Sequence, residues 1–557
     1  MLSDVMDAGA DVRTTLRAAL ADAFDGDAPL PRFSKALGGL VVATSRRDGR
    51  IRQRICVAGD TLAAALDKTI DELDLAGSQV DTLELNCCHS LRPVPADLNS
   101  TRLDNNQAGI VGVALLEDGQ LHSLFSPTEL IASNRSPKRA IVSLLESDGL
   151  TADALTIGAI TAATFKSEQY LCRLTPRGAE IRSLFRGARP IELVPMDERA
   201  IEELVGGMSR WMLNQVQPDG RTVYKYWPSR GSEANGDNTI RQAMATICLG
   251  RIADRTSDPD ARDRADRNLE HLMATYYREQ GDYGLAIEEQ KVKLGAVALM
   301  ALAILESPDR NRHAEALTRL VATINHLHYP DGSFRTFYAP ADRNDCQNFY
   351  PGETLLFWAH ALKAGLPGVT ADAYMRAFRY YRAWFRTDSN PAFVPWHTQA
   401  HFVMRELVDE PELDGFIFEM NDWLLSMQQW DSAPYADLLG RFYDPERPHL
   451  GPPHASATGV YLEGLIDAFE LARHYGDKPR EAAYRRAILR GARSLARLQF
   501  KTDDDMFYIS QRQRVEGGIR TETYNNEIRV DNVQHGLMGL QRVLERFTAE
   551  DYAQPGT

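Results

Sequence analysis

Between about residue 199 and residue 548 the apolar positions recur at helical spacing, and they do so in pairs. Six times an amphipathic stretch is followed by a loop rich in Gly, Pro, Asp or aromatic residues and then by a second, more apolar stretch. The first members begin near Leu204, Asn268, Thr318, Met375, Glu419 and Ile488, at steps averaging about 57 residues, which suits a helical hairpin with one substantial loop. Two loops pass through Pro218-Asp-Gly and Tyr329-Pro-Asp-Gly, where Pro fixes φ and Gly accepts a positive φ. The second members include Lys293-Leu-Gly-Ala-Val-Ala-Leu, Pro351-Gly-Glu-Thr-Leu-Leu-Phe-Trp and Ser456-Ala-Thr-Gly-Val-Tyr-Leu-Glu-Gly, with small residues at helical spacing. Such helices pack closely on both sides and predict an inner ring.

The first third has a different texture. Gly39–Thr44 and Arg50–Val57 are β-rich runs around the turn residues Asp48 and Gly49, a hairpin signal. A helix is predicted after Thr61, which reads as its N-cap. Further strands are expected at Val80–Asn86, Gly109–Leu115 and Leu121–Phe125, the last two flanking Glu117-Asp-Gly. Residues 1–190 read as one α+β domain, and Gly187–Asp197, with two prolines and little periodicity, reads as a linker.

Six hairpins with small-residue inner helices resemble the (α/α)6 toroid shared by many glycoside hydrolases, sugar epimerases and polysaccharide lyases. The fold expected is therefore an α+β domain followed by an all-α (α/α)6 toroid over 199–548, the latter catalytic. An open array or a seven-hairpin solenoid is the alternative. In the first third, Gly49-Arg-Ile-Arg-Gln-Arg-Ile-Cys and the helix opening at Thr61 resemble the AMMECR1 family over about 50 residues. That resemblance lacks the family's tighter Arg-Gly-Cys-x-Gly-like run and carries no function.

Composition narrows the chemistry. With Lys+Arg 63 against Asp+Glu 77 the formal charge is -14, which argues against nucleic acid or anionic membrane as partner. Gly295–Leu305 is too short to span a bilayer, and the acidic N-terminus does not read as a secretory signal, so a cytoplasmic location and no membrane insertion are expected. The six cysteines form no CxxC pair. No phosphate-binding loop, dinucleotide fingerprint or G-x-S-x-G elbow is present, so no cofactor is expected. His397 and His401 have i, i+4 spacing but no HExxH context, and no metal is expected.

Polar residues crowd the starts of the six predicted inner helices, where loops and partly positive helix N-termini would converge. An oligo- or polysaccharide is the substrate class they suggest: Tyr226, Trp227 and Trp396 would stack on sugar rings, while Asn238, Glu289, His397, His454, Glu463 and Gln534 would read hydroxyls. Glu353, three residues after Tyr350, and Asp531, four before His535, would face each other from opposite repeats. Opposed carboxylates suit general acid/base hydrolysis. Tyr350 paired with His535, His454 or His397 would instead move a proton at a sugar carbon in an epimerase or lyase. Arg241 and Arg529 either form a fork for an anionic saccharide or pair internally with Asp237 or Asp531. A non-catalytic scaffold binding a glycan or protein is the reading from another class.

Overall fold

The computed structural model describes residues 9–24, 32–34, 38–75, 80–98, 103–175, 178–192 and 195–553. Its first third builds one antiparallel sheet from β1 (Arg32–Ser34), β2 (Gly38–Arg47), β3 (Arg50–Gly59), β4 (Thr82–Pro93), β5 (Val111–Glu117), β6 (Gln120–Phe125), β7 (Thr161–Thr175) and β8 (Gly178–Leu184). Both expected hairpins form. Asp48-Gly49 joins β2 to β3 and Asp118-Gly119 joins β5 to β6, each pair at positive φ, the two-residue turn whose twist matches the strands. The centre of the sheet is β4, paired with β2 on one side and β7 on the other.

Strands β7 and β8 lie outside the sequence expectation. β7 is long enough to hold β5 along its first half and β8 along its second, and its polar Lys166, Ser167 and Glu168 break any alternation legible in isolation. Helices α1 (Gly9–Ala23) and α2 (Leu62–Glu72) cover one part of the sheet, and the Thr61 hydroxyl accepts from the Ala64 N–H as the expected cap. Helices α3 (Pro127–Ala132), α4 (Pro137–Ser147) and α5 (Asp153–Thr156) form a second layer around β5, with Ile141, Leu144 and Leu115 in its core.

The remainder is a closed (α/α)6 ring. Outer helices α6 (Glu198–Gln215), α8 (Pro259–Tyr276), α10 (Ala314–Leu327), α12 (Ala371–Thr387), α14 (Pro411–Leu425) and α16 (Lys478–Leu498) alternate with inner helices α7 (Thr239–Thr256), α9 (Leu294–Glu306), α11 (Tyr350–Lys363), α13 (Phe393–Met404), α15 (Ala455–Tyr475) and α17 (Val530–Arg546). Each inner helix packs on the next, and α17 returns to α7, which excludes the open array. The outer helices all begin several residues before their expected starts. Their first turns are polar, as in Pro259-Asp-Ala-Arg-Asp, and so invisible to a reading based on apolar spacing.

The inner helices behave as their composition requires. Every residue of α9 from Leu294 to Leu305 is buried, so this helix is apolar all round. Helices α15 and α17 meet at glycines: a Cβ on Gly459 would stand 2.5 Å from the Gly536 nitrogen. The sheet region docks on the ring through buried charge. Arg186, 1% exposed, donates from Nε to Asp437 at 2.6 Å, Asp504 accepts from Arg182 at 2.7 Å and Arg189 at 2.6 Å, and Asn134 donates to Asn525 at 3.0 Å.

Candidate functional site

Alternating outer and inner helices make all six inner helices parallel, so their first turns gather at one end of the ring. Asp531, in the first turn of α17, is fully buried. Arg529 donates to it from Nε at 2.9 Å and again from Nη2, Arg241 of α7 approaches at 3.3 Å, and the Ser456 hydroxyl of α15 donates at 3.2 Å. Burial opposes ionisation here, but Arg241 and Arg529 outweigh it and hold the Asp531 carboxyl well below the usual range. The arginine pair is thus the internal closure of the ring. Of the two arrangements expected for these arginines, the structure shows the internal pairing, with Asp531 as the carboxylate that receives both.

Glu353, in the first turn of α11, behaves in the opposite way. It is 3% exposed, and its Oε2 is buried with no hydrogen-bond partner among the described residues. Burial pushes its carboxyl up to about 7, against the pull of Arg241 and Lys293. Room for it exists only because α9 carries Gly295 alongside: a Cβ there would lie 1.9 Å from Glu353 Oε2. Tyr350, one turn back, is also buried, edge-on to Phe337, and burial together with Cys346 and Glu353 raises its hydroxyl far above the ordinary value.

Two histidines complete the cluster. His454 is the N-cap of α15, and its Nδ1 accepts from the Ala457 N–H at 3.0 Å. Burial lowers it to about 4, helped by Arg529 and Arg241, so the ring is neutral near pH 7. With Nδ1 used as an acceptor, the assigned tautomer carries its proton on Nε2. His535 Nδ1 lies 2.7 Å from Glu463 Oε1, both buried, and the Trp396 ring meets His535 edge-on at 5.8 Å. Because α13 and α17 are not ring neighbours, that contact crosses the lumen. Lys293, the residue capping α9, pairs with Glu288 at 2.8 Å, and Glu288 also accepts from the Thr239 N–H and hydroxyl at the start of α7.

All six inner helices therefore contribute, and Glu353, Tyr350, Arg241, Arg529, Asp531, His454, His535, Glu463 and Trp396 converge as a cluster. Six other expected site residues do other things. His397 turns away from the lumen and stacks on Phe393 with ring centroids 3.5 Å apart, both ring nitrogens buried and unpartnered among the described residues. Tyr226 is 1% exposed and its hydroxyl donates to Gln511, so it packs as a wedge and offers no sugar platform. Trp227 donates to Glu527 at 2.9 Å and lines a cavity of about 390 Å³ between the sheet region and the ring. Glu289 sits exposed in a turn at positive φ. Asn238 caps α7, accepting from the Arg241 N–H at 3.2 Å. Gln534 is wholly interior.

Sequence reasoning missed Lys293. The signal was present: Lys293 and Arg529 both occupy N-cap positions, where a cation faces the positive end of a helix dipole and would ordinarily be disfavoured. Among the described residues no group of three or more His, Cys, Asp or Glu could hold a metal, and no helix is long and apolar enough to cross a membrane.

Fold and site together define a closed six-hairpin toroid with titratable side chains gathered at the N-terminal end of its inner helices. No family model matches the chain, and no curated protein does. Among solved structures, the chain is similar to an inactive variant of the alpha-1,6-mannanase GH76A of Salegentibacter sp. HEL1_6 in complex with alpha-1,6-mannotriose, at 10% identity and a TM-score of 0.44, over 62% of this chain and 100% of that one. It is similar to a D-mannose isomerase at 9% identity and a TM-score of 0.49, over 64% and 100% of the two chains. It is also similar to an uncharacterized protein from Pyrococcus horikoshii at 14% identity and a TM-score of 0.23, over 31% of this chain and 93% of that one. The ring assignment itself rests on the packing order of α6 to α17.

Proposed function

We propose that the chain is a carbohydrate-active enzyme that moves a proton on a sugar carbon at the mouth of the ring, as an epimerase or isomerase does. The observation that carries this reading is the division of protonation states: Glu353 is an unpaired carboxyl poised at about 7, while His454 is a neutral imidazole locked by a helix N-terminus. A carboxylate base together with a neutral imidazole donor is a recurrent arrangement for removing a proton next to a carbonyl. Glu353, when ionised, abstracts the proton, and the His454 Nε2–H polarises the carbonyl oxygen. Asp531 stays an anion and fixes Arg241 and Arg529, and two guanidiniums against one carboxylate leave a net positive charge that favours the developing enediolate.

The two-carboxylate hydrolysis expected from sequence is weakened, because Asp531 is consumed by three partners. One observation still favours it as the second reading: Glu353 raised to about 7 and Asp531 kept ionised, each under the influence of Arg241, is the division of states that glycosidases use. Incubation with reducing sugars and with oligosaccharides in D2O separates the two. Solvent deuterium at C2, lost about 10²–10⁴-fold in Glu353→Gln, supports proton transfer. New reducing ends without exchange would instead support hydrolysis, and neither signal with any saccharide would leave the scaffold reading.

A further inference from the structure

A cavity lies at the other end of the ring. It measures about 540 Å³, within the roughly 300–1,000 Å³ of small-molecule sites, and is lined from the C-terminal halves of α7, α11, α13, α15 and α17. On α17 the path from Asp531 in the first turn to Gln541 at the cavity is ten residues, about 15 Å at 1.5 Å per residue. The two sites are thus separate.

Its chemistry is that of a neutral, hydroxyl-rich ligand. Cations line it, but each is held by a carboxylate: Arg251 by Glu306 at 2.7 Å, Lys363 by Glu406 at 2.7 Å, and Arg542 by Asp467 at 3.1 Å. Arg546 is likewise held by Glu470 at 2.6 Å, and Arg255 approaches Glu545 at 3.8 Å. An anionic ligand would compete with these carboxylates, whereas the ion-pair edges offer donors and acceptors side by side to vicinal hydroxyls. Gln541 lines the cavity, is 4% exposed, and its Nε2 has no partner among the described residues. Leaving a buried amide donor unpaired is costly, so a ligand oxygen that reached it would be held there. Gln399 adds a second amide, 5% exposed, and Phe402 with Met538 supplies apolar surface for C–H faces.

We propose that this cavity is a second ligand site, for a neutral polyhydroxyl compound of mono- or disaccharide size. The proposal is independent of the acid/base reading of the mouth. It is tested by NMR of the full chain labelled with methyl-¹³C methionine, with the Met538 methyl assigned through Met538→Leu. The probes are D-glucose, D-mannose, D-galactose, sorbitol and sucrose, against citrate and inorganic phosphate. The expected result is a saturable Met538 shift with at least one neutral probe and none with the anions, weakened roughly tenfold in Gln541→Leu and retained in Glu353→Gln. Gln399→Leu serves if Gln541→Leu fails to fold. A Met538 signal that no neutral probe moves, that only citrate or phosphate moves, or that keeps its affinity in both glutamine variants overturns the proposal.

Discussion

Glu353 and Asp531 both lie in the first turn of an inner helix, α11 and α17, yet burial leaves one protonatable near neutrality and two arginines keep the other ionised. Their linkage to stability has opposite signs. The raised Glu353 pKa contributes stability that is fully present below the unfolded value near 4.5 and is lost as pH rises through about 7. The loss is on the order of 3 kcal/mol. Urea unfolding at pH 5 and pH 8 should show Glu353→Gln declining less than the wild type by about that amount. For Asp531 the contribution is present above the unfolded value and disappears in acid. Asp531→Asn should cost about 3–5 kcal/mol at pH 7 by leaving Arg529 and Arg241 without their carboxylate, measured as a lowered urea midpoint.

At the scale of elements, the inner helices stand close because glycines face one another or face a functional side chain. Gly459→Ala would drive a Cβ to 2.5 Å from the α17 backbone, which only a shift of α15 against α17 can relieve, so a cost of about 1–3 kcal/mol is expected in thermal unfolding. Gly295→Ala is a different case, since its Cβ would meet two side chains and not backbone, the Glu353 carboxylate at 1.9 Å and the Tyr350 ring at 2.7 Å. Part of its cost should vanish in a Glu353→Ala background, a coupling that a double-mutant cycle reads directly, with the Tyr350 contact accounting for the remainder. The hairpin turns and the cap at Thr61 were legible because each rests on residues adjacent in sequence. Strand β7 was not, because its polar positions are satisfied by neighbours on two other strands.

At the scale of the molecule, sheet and ring are joined by Arg186 and Asp437, a buried pair whose partners lie far apart in sequence. Arg186→Ala leaves Asp437 buried without its guanidinium and should cost about 3–5 kcal/mol. Calorimetry should then separate a sheet transition from a ring transition. By itself the sequence determined the six hairpins, the apolar inner helices, the two-residue turns and the polar crowding at the inner-helix starts, because helical period and turn chemistry are local properties of adjacent residues. Only the tertiary structure decided that the ring closes, that Asp531 pairs with Arg241 and Arg529 while Glu353 stays unpaired, that His397 turns outward, and that a cavity opens at the far end. The physical reason is that a side chain's charge state and partner depend on what the closing of α17 onto α7 places beside it, and no spacing along the chain encodes that neighbour.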